Sequence, residues 1–151
     1  MSAKIILLID DNPSDVELTQ RALQRSHVAN ELVVARDGQE ALDYLFGTGL
    51  YAGRELSVPP RVTLLDVRLP KVPGLDVLRA IRADPRTRRM PVVILTSSNE
   101  ELDVAGAYDL GVNSYIQKPV DSERFAEAIR TLGSYWLMMN EPPPKMSPKA
   151  T

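Results

Sequence analysis

Four short strand-like runs, each ending abruptly in a polar or charged residue, constrain this chain more than any other feature. Ile5 to Ile9 ends in Asp10-Asp11, and Val62 to Leu65 ends in Asp66. Val92 to Leu95 ends in Thr96-Ser97-Ser98, and Ser114 to Gln117 ends in Lys118-Pro119. Short continuous apolar runs suit central parallel strands covered on both faces. A carboxylate is costly to bury without a partner, so Asp66 is expected at the mouth of a sheet. In an open parallel sheet, the carboxyl ends of the strands form the crevice where ligands bind. Three carboxylates, a hydroxyl and an ammonium thus point at one place.

Helical patterns fill the gaps between the strands. Asn12 is a good N-cap, Pro13 suits the first helical position, and Asp15 and Glu17 favour the positive end of the helix dipole. Val16, Ala22 and Leu23 supply the inner face of this first helix. Glu31 to Ala35 reads as a second strand. Asp37-Gly38 opens a helix through Ala41, Leu42, Leu45 and Phe46. Pro73-Gly74 opens a third, with Leu75, Leu78 and Ile81. A fourth is expected over Asn99 to Leu110, closed by Gly111. The last is expected from about Asp121 to Met139, with Phe125, Ile129, Leu132 and Trp136 on one stripe. Pro142-Pro143-Pro144 stops it, leaving a disordered tail from 141 to 151 behind a domain spanning 1–140. Five βα alternations argue for a doubly wound α/β domain with a parallel sheet and right-handed crossovers.

Length and composition agree with one such domain. The 151 residues suit a single core, and a hydrophobic content of 44% with 25% charged is ordinary for a globular protein. A net charge of −2 gives no case for nucleic-acid or membrane binding. With no cysteine, disulfides and thiolate chemistry are excluded. No signal peptide or membrane span is legible, and a cytoplasmic location is expected.

Three features have plainer readings. Gly47-x-Gly49-x-x-x-Gly53 is a near miss for a dinucleotide-binding turn, but it has the wrong final spacing and follows a helix. The stretch from Gly47 to Arg61 therefore reads as a long surface loop. Arg79, Arg82, Arg86, Arg88 and Arg89 form a local basic cluster, better read as a solvated face than as a phosphate-backbone patch. His27, the only histidine, reads as a surface residue.

The chemistry gathers at the strand ends. Asp10, Asp11 and Asp66 repel one another unless a cation sits among them, and clustered hard oxygens suit Mg²⁺. A carboxylate beside such an ion, with a hydroxyl and an ammonium near it, is equipped to accept a phosphoryl group. Lys118 suits a phosphoryl oxygen or the Asp66 carboxylate, and the Thr96 hydroxyl can donate to an attached phosphoryl oxygen. Taken singly, each residue has a bland alternative: Asp10-Asp11 as a helix cap, Asp66 as a turn former before Pro70. Their joint position at the ends of strands one, three, four and five is what argues for a site.

These motifs resemble a two-component response-regulator receiver domain over about Lys4 to Trp136. The matching pieces are Leu8-Ile9-Asp10-Asp11-Asn12, Leu64-Leu65-Asp66 with Leu69-Pro70 and Gly74, Ile94-Leu95-Thr96-Ser97, and Tyr115-Ile116-Gln117-Lys118-Pro119. The resemblance implies a flavodoxin-like sheet of order 2-1-3-4-5. It implies Asp66 as phosphoacceptor from a sensor histidine kinase, with Lys118 pairing the phosphate. It implies Mg²⁺ held by Asp11, Asp66 and the backbone carbonyl of Arg68, with Asp10 acting largely through water. Thr96 and Tyr115 resemble a switch pair, in which Thr96 moves toward the phosphoryl group and Tyr115 turns inward. The bond from Lys118 to Pro119 is implied to be cis. Arg68 and Ser98 occupy positions that vary in the family and tune phosphoryl lifetime.

Output must then pass through protein contacts, since no output module is legible after the last helix. Tyr135-Trp136-Leu137-Met138-Met139 is apolar all round, which points to a homodimer through the fourth helix, fifth strand and fifth helix. The long Gly47–Arg61 insertion and the Trp-containing last helix resemble stand-alone receivers that partner bacterial phytochrome-type histidine kinases. Two alternatives remain. A phosphate sink or scaffold would receive phosphate without signalling onward. A haloacid-dehalogenase-like phosphatase would need a second acid two residues after Asp66, where this chain has Arg68.

Overall fold

Strand and helix alternate five times along the chain. The computed structural model describes residues 4–26 and 28–144. The elements run β1 (Lys4–Ile9), α1 (Pro13–Gln24), β2 (Asn30–Ala35), α2 (Gly38–Phe46) and β3 (Val62–Leu65). They continue as α3 (Gly74–Ala83), β4 (Val92–Thr96), α4 (Glu101–Asp109), β5 (Ser114–Gln117) and α5 (Ser122–Ser134). All strand pairings are parallel, in the order β2-β1-β3-β4-β5. This is the flavodoxin-like arrangement implied by the motifs.

The period-two alternation of side chains explains why the central strands are apolar throughout. Ile6 and Leu8 of β1, Leu64 of β3, and Val93 and Leu95 of β4 face a layer built by α1 and α5. Leu7, Ile9, Leu65, Val92 and Ile94 face the opposite layer, built by α2, α3 and α4. Each central strand thus serves two cores at once. Strand order reverses between β1 and β3, and the crevice opens there, at the carboxyl ends.

Caps set the helix starts as expected. The Asn12 side chain accepts from the Ser14 and Asp15 amides, and Asp37 accepts from the Glu40 amide. Gly47 closes α2 in the left-handed conformation, at φ 67°. The loop that follows is held by Arg54, whose Nε donates to the Tyr44 carbonyl at 2.7 Å while its guanidinium lies 3.8 Å over the Tyr44 ring.

The end of the chain departs from expectation. The last helix is α-helical only to Ser134, and Tyr135–Met139 form a π-helical turn closed by Asn140 N–H donating to the Tyr135 carbonyl. The wider turn brings the adjacent Trp136 and Leu137 both inward, 9% and 1% exposed, onto the α1/α5 core. These two residues are core, not interface. Tyr135, Met138 and Met139 remain exposed. Lys4 Nζ donates to the Leu137 carbonyl at 2.6 Å, tying this turn to the start of β1. Of the expected tail, residues 141–144 pack Pro142 and Pro143 half-buried, beside Pro59 and Pro60. The remainder of the tail and His27 lie outside the described residues.

Candidate phosphoacceptor site

Sheet order determines which side chains meet. β1 and β3 are neighbours, so Asp10 and Asp66, each one residue beyond its strand, stand side by side. β4 lies beside β3 and brings Thr96, and β5 beside β4 brings Lys118. Asp10, Asp66, Thr96 and Lys118 are all buried. The acids sit at the crevice as expected, yet deeper than a solvated mouth, and the ammonium is what compensates their burial.

Asp66 is held through both oxygens. Its Oδ1 accepts from Thr96 Oγ1 at 2.6 Å and from the Arg68 amide at 3.0 Å. Its Oδ2 accepts from Lys118 Nζ at 2.9 Å. Lys118 spends its other two protons on Asp10 Oδ2 and Asp15 Oδ2, each at 2.8 Å. Asp10 Oδ1 accepts from the Asn12 amide at 2.9 Å. Among the described residues, no buried side-chain nitrogen or oxygen lacks a partner.

The electrostatics follow from this geometry. Burial pushes the Asp10 carboxyl above its ordinary value, against the pull of Lys118 and the Asn12 amide. Burial alone would lower Lys118, but hydrogen bonds to Asp10, Asp15 and Asp66 outweigh it and hold the ammonium above the ordinary lysine value. Lys118 is a fixed positive charge. Asp11 is exposed, and one oxygen from each of Asp10, Asp11 and Asp66 lie within 4.8 Å of one another. Lys118 pairs with Asp10, Asp15 and Asp66, and Asp11 adds a fourth carboxylate beside Asp10 and Asp66, leaving net negative charge among hard oxygens. This donor set fits a divalent cation such as Mg²⁺.

Glycine lets the backbone close around Asp66. A Cβ on Gly74 would lie 2.2 Å from the Asp66 carbonyl oxygen, so α3 starts in direct contact with the Asp66 backbone.

Thr96, Tyr115 and their neighbours form one connected path. Tyr115 is half-buried against the α2/α3/α4 core, and its hydroxyl donates to the Ser98 carbonyl at 2.9 Å. Burial pushes the Tyr115 phenol up. Ser98 Oγ donates to Asp103 at 2.6 Å, and Arg68 reaches the same carboxylate at 3.0 Å and Glu100 at 3.1 Å. Arg68 therefore bridges the β3–α3 loop to the start of α4, a contact between residues too far apart in sequence to read there. Asp15, which the sequence marks only as a helix-dipole residue, also joins the site through Lys118, a contact that no local spacing signals.

One expectation fails. The Lys118–Pro119 bond is trans, with no cis peptide among the described residues. The trans isomer is intrinsically favoured. The Lys118 amide already donates to the Thr96 carbonyl at 2.7 Å, which extends the β4–β5 pairing and aims the side chain without a cis turn.

The family model of the response regulator receiver domain matches residues 6–130. The chain belongs to this family. Response regulator Rcp1 from Synechocystis is 39% identical over 134 residues, covering 89% of each chain. The Mn(2+)-bound form of Rcp1 superposes with a TM-score of 0.86 at 36% identity, covering 93% of this chain and 99% of that one. The phosphorylated cyanobacterial phytochrome response regulator RcpA gives 0.88 at 39% identity, covering 95% and 100%. The bacteriophytochrome response regulator RtBRR is 50% identical, with a TM-score of 0.74 over 96% and 87%. Membership of the receiver family accords with a signalling role. A dehalogenase-like reading loses its support, because the position two beyond Asp66 carries Arg68, engaged with Asp103. No helix among the described residues is long and apolar enough to cross a membrane.

Proposed function

We propose that Asp66 accepts a phosphoryl group from the phosphohistidine of a sensor kinase, and that the resulting acyl phosphate resets Thr96 and Tyr115 for partner binding. The observation that carries this reading is the convergence of Thr96 Oγ1 and Lys118 Nζ on separate oxygens of one buried carboxylate. An Asp66 oxygen attacks phosphorus, the bond from phosphorus to the histidine nitrogen breaks, and its electron pair leaves with the imidazole. Lys118 neutralises charge on the phosphoryl oxygens, and Thr96, freed from the attacking carboxylate, donates to one of them. Asp10, Asp11, Asp66 and the Arg68 carbonyl would hold Mg²⁺, which when bound supplies further charge neutralisation. The aspartyl phosphate biases an existing inactive–active equilibrium, for which about 5 kcal/mol suffices for a near-complete switch. The Tyr115 hydroxyl donates to the carbonyl of Ser98, two residues past Thr96, so a shift of Thr96 can reach Tyr115 through that backbone.

The names of RcpA and RtBRR, a phytochrome and a bacteriophytochrome response regulator, support a phytochrome-type histidine kinase as the donor. The exposed Leu102 and Tyr108 on α4, Val120 after β5, and Tyr135 and Met138 after α5 support a homodimer through the α4–β5–α5 face. Leu102→Asp should shift such a dimer to monomer in sedimentation, and an unchanged dimer would remove this interface.

Intact mass after incubation with acetyl phosphate and Mg²⁺ tests the central reaction. The wild type should gain one phosphoryl group, and Asp66→Asn should gain none. A wild type that stays unmodified with this donor and with a cognate kinase would overturn the reading. A scaffold without phosphoryl chemistry would replace it.

A further inference from the structure

Three carboxylates hold the Lys118 ammonium, and phosphoryl transfer treats each differently. Asp66 is consumed, since one of its oxygens becomes the acyl-phosphate bridge and Lys118 must turn one N–H from Oδ2 to a phosphoryl oxygen. Asp10 belongs to the acidic cluster that fits the cation, so its charge is shared. Asp15 stands outside that cluster and accepts from Nζ at 2.8 Å. Its side chain is 21% exposed, and it stands on α1, whose start is fixed by the Asn12 cap and Pro13.

We propose that Asp15 is a positioning residue for phosphoryl transfer, acting through Lys118 as its one constant anchor. This rests on the reading of Asp66 as acceptor. Lysine is a point charge on a flexible four-carbon stem, and its usefulness depends on where that charge is held. With Asp15 in place, Nζ stays anchored on α1 while its bond to Asp66 changes partner and its bond to Asp10 weakens. Without it, the ammonium is held only by the reacting carboxylate and the cluster acid, and it follows them as charge redistributes. Misplacing a catalytic group by about 1 Å can cost up to about 100-fold.

Phosphoryl uptake from acetyl phosphate at saturating Mg²⁺, followed by intact mass, tests this in a double-mutant cycle. Asp15→Ala should slow uptake on the order of tenfold. Asp15→Asn, which keeps an acceptor oxygen but not the charge, should recover part of the loss. In a Lys118→Met background, Asp15→Ala should have no further effect, because the residue acts through the lysine. A support role at the helix start would instead lower uptake by the same factor in both backgrounds, and that result overturns the proposal. Unchanged or faster uptake in Asp15→Ala overturns it as well. Circular dichroism on each variant separates these outcomes from loss of fold. An unmodified wild type would count against the phosphoacceptor reading itself, which keeps the two failures distinct.

Discussion

Lys118 carries more of this site than any other single side chain. Its ammonium is buried, donates three hydrogen bonds, and compensates carboxylates delivered by β1, α1 and β3. Breaking a buried pair from one side leaves the other side's charge uncompensated, at about 3–5 kcal/mol. Lys118→Met is therefore expected to destabilise the metal-free protein by roughly that amount in urea unfolding. Added Mg²⁺ should restore part of the deficit by replacing the missing positive charge. A variant as stable as wild type without metal would mean that the acids are less constrained than their geometry implies.

Among the elements, the turn after α5 behaves least like its sequence. Five consecutive apolar residues cannot share one face of an α-helix, so exposure of several was expected. The π-helical turn buries two adjacent ones, Trp136 and Leu137, and leaves Tyr135, Met138 and Met139 outside. Leu137→Ala should cost about 2–5 kcal/mol in urea unfolding, as for a buried leucine. Met139→Ala, on the exposed side, should stay within about 0.5 kcal/mol of wild type. Equal costs would show that the turn is not packed as described. The other elements were legible because their signals are local. Asn12, Asp37 and Gly47 mark helix ends by chemistry that acts over three or four residues. The first residues of α4 were less so: helix begins at Glu101, after Asn99 and Glu100, with no side-chain cap to mark it.

At the scale of the whole molecule, cation binding and fold stability are linked, because the acids that fit the ion come together only in the folded chain. A ligand that binds only the native state stabilises it by about 2.7 kcal/mol at 100 times its Kd. Mg²⁺ should thus raise the melting temperature of the wild type in a concentration-dependent way. Asp11→Asn should blunt that rise while changing little without metal, since Asp11 is exposed and belongs to the cluster. No metal-dependent shift in the wild type would argue against the cluster as a cation site.

The five βα units and the constellation of Asp10, Asp11, Asp66, Thr96 and Lys118 were legible in the sequence, because runs, caps and strand ends are readable within a few residues. The sheet order, which is not local, came only from the resemblance to receiver domains. The packed chain alone reveals that Asp15 joins Lys118, that Arg68 reaches Asp103 on α4, that Lys118–Pro119 is trans, and that Trp136 and Leu137 are core. Each of these depends on distances between elements far apart in the chain, or on a turn geometry that local pattern does not encode.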